Sequence, residues 1–230
     1  AAMIDRSRRG QAGQHKIWTK QLESALTWCR AFLRSENGAM ARIFTLDAYL
    51  RRGDALIITT DASPWAIGGF LMVNGAIFEY FHQAISQHDA DLMKIPLGSS
   101  EAQQGCEAFA LLVALRLWKR YWHNRRIMLT VRSDSVSGLT VVLKLTSSGV
   151  APSLLARELA VDLSRTSYLP ALVEHIPGVA NVVADILSRY DAPTTTQPEK
   201  KKDIPVCLVG ATLRLCPPRP KSWWVSLAPP

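Results

Sequence analysis

Along the chain the spacing of apolar residues changes period several times, and each change marks an element. IWTKQLESALTWCRAFL, residues 17–33, sets Trp18, Leu22, Ala25, Leu26, Cys29 and Leu33 at helical intervals and predicts one amphipathic helix, ended by Glu36-Asn37-Gly38. From Ala55 the pattern turns to short apolar runs: ALIITTDAS, AIGGFLMV and, after Asn74-Gly75, AIFEYFHQ. An Asn-Gly pair between two such runs signals a tight hairpin, so three adjacent antiparallel strands are predicted. A polar loop over 84–98 leads into a long helix from about Glu101 to Trp122, with Ser100 and Gln103 at capping-box spacing. IMLTVRSD predicts a fourth strand, followed by a short helix at 135–144 and a loop through Pro152. The helix LLARELAVDLSR, a fifth strand ALVEHI and, past Pro177-Gly178, a last helix NVVADILSR complete the pattern. Strand–helix–strand crossovers make this an α/β fold: a five-stranded mixed sheet, three antiparallel strands plus two parallel, flanked by helices on both faces.

Composition divides the chain into three. With 48% apolar and 20% charged residues it reads as an ordinary globular protein, and no apolar run approaches the ~20 residues of a membrane-spanning helix. AAMIDRSRRG has no apolar stretch behind its charges and so is no signal peptide, while Ala1-Ala2 ahead of any Met hints at a piece of something longer. Residues 1–53, a basic segment with one helix, carry ten Lys/Arg against four Asp/Glu; residues 54–190 carry eleven against twelve. Residues 191–230 carry six against three and hold eight of the thirteen prolines, which predicts a linker or tail with at most a short docked segment. A nearly neutral middle between basic flanks suits a nuclease that keeps acids for chemistry while its surroundings hold phosphates, although basic tails also serve as plain linkers. Cys29, Cys106, Cys207 and Cys216 show no pairing-like spacing, so reduced thiols in an intracellular compartment are expected rather than a zinc site or disulfides.

Four acids stand out. Asp61 closes the first strand and Asp134 the fourth; if those strands lie parallel, both acids sit at one sheet edge, repelling each other unless a cation is present. Glu107, in the long helix, shares its face with Leu111, Ala114 and Trp118, and a carboxylate on an apolar stripe needs a partner. Asp185 lies early in the last helix. Four carboxylates without matching basic partners can hold two Mg2+ about 4 Å apart, and hard oxygen donors without His or Cys favour Mg2+ or Mn2+ over zinc.

TDASPWAIGGFL, EAFALLVAL, VRSDS and HIPGVANVVADILSR, in that order over about 55–190, resemble the four acidic motifs of retroelement ribonuclease H, as in gypsy-like retrotransposons. The resemblance implies a ribonuclease H-like fold that cuts the RNA strand of RNA–DNA hybrids within a reverse transcriptase polyprotein. It implies that Asp61, Glu107, Asp134 and Asp185 are the catalytic, metal-binding acids, with two Mg2+ for which Mn2+ can substitute. Residues 1–53 then correspond to the end of a polymerase or connection region, 54–190 to the nuclease, and 191–230 to a spacer. An adjoining polymerase domain becomes the expected partner, and the cytoplasm, nucleus or retroelement particles the expected location. His175 reads as a residue of the fifth strand with no catalytic role, and Glu101 as a helix-dipole partner rather than the catalytic acid.

Ser63, Gln104, Gly105, Ser135 and Asn181 are the candidates for substrate contact, being small or polar and close to the acids. Gly105 costs its helix about 1 kcal/mol relative to Ala, which close approach of a phosphate or simple helix packing would justify. Trp65 stacks on substrate or packs. Arg116, Lys119 and Arg120 lie opposite Glu107 on the helix and cannot face the same phosphodiester. A hybrid reader recognises 2′-hydroxyls and groove shape, so little sequence preference and strong salt sensitivity are expected. No Tyr-x-Asp-Asp, Asp-Thr/Ser-Gly or His/Cys zinc module is present. The rival reading is a catalytically silent ribonuclease H-like scaffold that binds nucleic acid within a reverse transcriptase.

Overall fold

The β-branched run after Gly53 forms β1 (Asp54–Ala62), the second run β2 (Ala66–Val73) and the third β3 (Ala76–Ala84). The structure, a computed structural model, describes residues 20–35, 46, 50, 53–122, 127–144, 149–164, 172–193 and 203–227. β1 and β2 pair antiparallel with Asp61 opposite Gly68, and β2 and β3 pair antiparallel around Asn74-Gly75. Both turn residues take positive φ, 49° and 90°, as the predicted hairpin requires. Asn74 also ties the turn to β1: its Oδ1 accepts from Ala55 N at 3.0 Å and its Nδ2 donates to Asp54 Oδ1 at 3.1 Å. β4 (Ile127–Ser133) joins β1 in parallel, and β5 (Leu172–His175) joins β4 in parallel. The mixed sheet is one strand larger than expected. A two-residue β6 (Thr212–Leu213) runs parallel beside β3, completing the order β5-β4-β1-β2-β3-β6.

Helices cover both faces. They are α1 (Lys20–Leu33), α2 (Gln87–Met93), α3 (Gln103–Leu117), α4 (Lys119–Trp122), α5 (Val136–Lys144), α6 (Val150–Ser164) and α7 (Val182–Tyr190). On one face α3 lies against β1 and β2, with α5 and α6 packed on α3, around a core that includes Ile58, Leu71, Phe81, Phe109, Leu111 and Trp118. On the other face α7 lies across β1, β2 and β3, where Ala184 and Leu187 meet Phe70, Tyr80 and Leu208. Gly68 sets how closely α7 approaches, because a Cβ there would stand 2.4 Å from the Leu187 carbonyl carbon. Only glycine lets the helix rest on the strand backbone at that point.

Several elements depart from the expected pattern. The loop over 84–98 contains α2, capped by Ser86, whose hydroxyl accepts from Asp89 N at 3.1 Å, and ended by Lys94 at φ 56°. Two turns carrying only Ala90 and Met93 as buried apolar residues leave too little periodicity to read. The long helix is broken. A 3-10 turn at Ser100–Ala102 precedes α3, capped by Ser99 rather than Ser100, and Trp118 separates α3 from α4. α6 begins at Val150, not after Pro152; the proline sits in its first turn, where a missing N–H costs nothing. The start of the first predicted helix, 17–19, lies outside the described residues.

The C-terminal segment is more than a linker with a short docked piece. Residues 203–227 run as a strap from the edge of β3 across α3 to α6. Arg214 reaches buried Glu79 (Nη2–Oε1 2.5 Å), and Arg219 reaches buried Asp89 (Nη2–Oδ2 2.8 Å). Trp224, fully buried, stacks on Phe109 with ring centroids 5.6 Å apart. Glu158, fully buried on α6, accepts from the backbone N–H groups of Val225 (3.0 Å) and Ser226 (2.7 Å). The strap thus completes the core and adds donors to three buried acids. Trp224→Ala is expected to lower stability by about 3–5 kcal/mol. Trp224→Phe keeps the stacked ring and removes a buried Nε1 that has no hydrogen-bond partner among the described residues, so it should cost much less. Urea unfolding of both variants checks this, and a negligible loss in the alanine variant would mean the strap is not part of the core.

Candidate active site

Parallel pairing of β1 and β4 sets the first two acids abreast. The register aligns Thr59 with Arg132, so two steps further along Asp61 and Asp134 stand side by side at the C-terminal edge of the sheet. Asp61 is buried, and its carboxyl is pushed up to about 7, first by burial, then by the charge of Asp134, and to a smaller degree by Asp185. A hydrogen bond from Ser188 Oγ to Asp61 Oδ2 (2.9 Å) pulls the other way but does not prevail. At Asp61, burial and the neighbouring acids together outweigh its donors.

The other two acids arrive on helices. Glu107 stands one turn into α3, where Gln103 Nε2 donates to its Oε1 at 3.0 Å and the Ser135 hydroxyl donates to its Oε2. The same Gln103 amide donates to Ala62 O at 2.7 Å, which stitches α3 to the end of β1. Ser135 follows Asp134 directly and caps α5, its Oγ accepting from Gly138 N at 3.0 Å. Asp185 lies in the first turn of α7, and Arg189 Nε, one turn later, donates to its Oδ1 at 2.6 Å. Asn181, buried just before α7, donates through Nδ2 to Asp134 Oδ1 (3.2 Å) and to Thr60 O (3.3 Å). Both of those neighbours are acceptors, so the amide can face them only with its NH2.

Asp134 and Asp185 therefore both lie within electrostatic reach of Asp61, with Glu107 joined to the edge through Gln103 and Ser135. Among the described residues, no three acids, histidines or cysteines stand in a ready metal-holding arrangement. The expectation that all four acids lack basic partners is corrected at Asp185, because i,i+4 spacing on α7 delivers Arg189 to it.

The predicted contact residues divide. Ser63 is buried and engaged in the turn after β1, donating to Ser188 O (2.8 Å) and accepting from Ala66 N (3.0 Å). Gly105 is a packing glycine: a Cβ would meet Ala151 Cβ at 3.1 Å and Ile95 at 3.3 Å, so no phosphate is needed to explain it. Ser135 and Asn181 hold acids, and Gln104 is exposed. Trp65 packs on Gly98, whose Cβ its ring would exclude at 2.3 Å. His175 ends β5 with Nε2 3.0 Å from Asp134 O, and Glu101 is exposed on the 3-10 turn.

Arg116, Arg120 and Arg132 are engaged in ion pairs within the fold. They pair with Glu158 (2.6 Å), Glu79 (2.8 Å) and Glu174 (2.7 Å), and Arg116 also with Asp162 (2.5 Å). Gln103, Ser188 and Arg189 were missed as site residues. All three stand three or four positions from an acid of the site, and that spacing could have found them.

No family model and no curated protein matches the chain. Among solved structures it is similar to the RNase H1 of the halophilic archaeon Halobacterium salinarum NRC-1. The two share 17% identity over 60% of this chain and 98% of that one, with a TM-score of 0.43.

If burial and the neighbouring acids make ionised Asp61 unfavourable, Asp61→Asn should stabilise the protein in EDTA at pH 8 by about 1–3 kcal/mol. The amide oxygen can still accept from Ser188. Thermal unfolding in EDTA decides it: an unchanged or lowered melting temperature would mean that Asp61 bears no electrostatic strain.

Proposed function

We propose that the chain is a ribonuclease H, hydrolysing the RNA strand of RNA–DNA hybrids with two divalent metal ions during reverse transcription of a retroelement. The observation that carries this reading is Asp61 near the end of β1, its carboxyl pushed up to about 7 by burial and by the charges of Asp134, which directly follows β4, and Asp185. A stable fold has no use for such repulsion, whereas a hard cation relieves it. All the acid donors are carboxylate oxygens, which fits Mg2+, with Mn2+ as substitute. Asp61, Glu107, Asp134 and Asp185 would hold the two ions, which supply an activated water and stabilise the leaving oxygen of the phosphodiester. The protein's own contribution is orientation. Gln103 and Ser135 aim Glu107, Asn181 aims Asp134, and Ser188 aims Asp61, each from an element that packing already fixes.

The partners on this reading are the hybrid itself and an adjoining polymerase domain of the same polyprotein. Four free cysteines suit a reducing location, whether cytoplasm, nucleus or element particle. No helix among the described residues is long and apolar enough to cross a membrane. A second reading, the silent scaffold, draws on one observation: Asp185 is engaged by Arg189.

Cleavage of a labelled RNA–DNA hybrid by the full chain separates the two. We expect the RNA strand alone to be cut with Mg2+, no cutting in EDTA, and loss of at least about a hundredfold in rate with Asp134→Asn. Hybrid binding without cutting at any Mg2+ or Mn2+ concentration would establish the scaffold instead.

A further inference from the structure

We infer that Phe78, Tyr121, Arg120 and Arg214 form a binding surface for single-stranded nucleic acid, separate from the acid edge: the arginines take backbone phosphates and Phe78 stacks on a base. The surface stands at the other end of α3 from Glu107. Trp118, which closes that helix, lies eleven residues beyond Glu107, or roughly 16 Å at the rise of an α-helix. The surface takes in none of the four acids and needs no metal ion, so it stands whether or not the chain is a nuclease.

Two features of the fold build it. The first is a β-bulge. Ile77 faces Met72 and Glu79 faces Leu71, so the register leaves Phe78 as an extra residue between them. Successive side chains of a regular strand point to opposite faces, yet Phe78 and Glu79 both reach Tyr121. The two rings lie 5.9 Å apart between centroids, and the Tyr121 hydroxyl donates to Glu79 Oε1 at 2.6 Å. A bulge re-aims a side chain, and here the aromatic it turns out is 48% exposed. The second feature is a surplus of cation. Glu79 is 1% exposed, and one arginine together with the Trp118 and Tyr121 donors would satisfy it. Both Arg120 and Arg214 nevertheless reach its Oε1, at 2.8 and 2.5 Å, which leaves the cluster with a net positive charge. The other described clusters carry no such surplus: Asp89 has Arg219, while Glu158 and Asp162 share Arg116.

Cation and open ring together suit one class of occupant. Arg120 and Arg214 are 51% and 37% exposed. Among the described residues Arg120 makes its hydrogen bonds through Nη2 alone, so the rest of its fork can meet a phosphate oxygen while Glu79 stays paired. Its guanidinium lies over the Tyr121 ring, 4.7 Å from the centroid, which joins cations and aromatics in one surface. An unpaired strand presents the complement, repeating phosphates with base faces between them. A duplex keeps its bases stacked on one another and has no free face for Phe78, and an acidic peptide would answer the charge but not the ring.

Fluorescence anisotropy of a labelled single-stranded DNA with the full chain in EDTA tests this, beside an abasic strand of the same length. Phe78→Ala should weaken binding of the normal strand by about five- to a hundredfold, the range of one base–aromatic stack, and leave the abasic strand's affinity unchanged. Phe78→Trp should restore the affinity. Arg214→Gln leaves Arg120 on Glu79, and it should reduce the slope of log K against log salt by about 0.7, one phosphate contact, for both strands. Arg120→Gln, which leaves Arg214 on Glu79, should do the same and serves if the first variant unfolds. Equal affinity of wild type and Phe78→Ala for the normal strand overturns the role, as does an absence of single-strand binding by wild type. An equal loss on the abasic strand would mean that Phe78 only props the surface, and an unchanged salt slope in both arginine variants would remove the phosphate contact. Tighter binding of a blunt duplex with the same dependence on Phe78 would make this a duplex contact instead. Hybrid cleavage enters none of these readouts, so their failure is distinct from failure of the nuclease reading.

Discussion

Because β1 and β4 run parallel and adjacent, residues at their C-terminal ends are brought together, and here Asp61, one step before the end of β1, lies beside Asp134, the residue that follows β4. Everything else around the edge follows from holding that pair. α7 comes down on β2 at Gly68, the residue opposite Asp61, close enough that no side chain fits between helix and strand. That contact brings Ser188 to Asp61 and Asp185 to within electrostatic reach of it. On the opposite face Gln103 fastens α3 to the last carbonyl of β1 and to Glu107 together. Asp61, Glu107 and Asp134 are thus fixed in position by packing and neutral hydrogen bonds, and only Asp185 meets a cation among the described residues.

The same molecule shows what compensation looks like. Glu79, Asp89 and Glu158 are as buried as Asp61 or more so, yet each meets an arginine: Arg214 and Arg120, Arg219, and Arg116 respectively. Burial pushes the Glu79 carboxyl up, but hydrogen bonds from Arg214 and Tyr121 and the charge of Arg120 outweigh it and hold Glu79 below its ordinary range. At Asp61 burial prevails, because its strongest neighbour is another acid. Two carboxylates in one fold, one relieved and one strained, show that the chain has the means to pair its buried acids and leaves the sheet edge as the exception.

Much of this could be read from the sequence. The Asn74-Gly75 hairpin, the β-branched strands and the crossovers rest on short-range chemistry, so the order of elements and the mixed sheet were visible there, as were acids at the ends of β1 and β4. What escaped depends on distant partners. Nothing local in RPKSWW announces that Arg219 will find Asp89, or that Trp224 will stack on Phe109. Prolines made the strap look like a linker because composition records the backbone and not the two tryptophans that anchor it. Gly105 and Ser63 were open to two readings for the complementary reason. A small residue near an acid can admit a ligand or another helix, and only the packing against Ala151 and Ile95 tells which.

The distribution of arginines constrains how a hybrid could be held. Between Ala108 and Ser133 the chain has six basic residues and no acid, which in sequence looks like a phosphate grip. In the fold Arg116, Arg120 and Arg132 are all in ion pairs, two of them with fully or almost fully buried carboxylates. Those side chains are committed to α6, β3 and β5. On the nuclease reading, the sheet edge supplies the chemistry, and the long-range attraction for a polyanion falls to the flanks. Residues 1–53 carry a net charge of +6 and residues 191–230 of +3, around a middle of −1. Strongly held acids at the centre and basic charge at the periphery are compatible demands only if they are kept apart along the chain, and here they are.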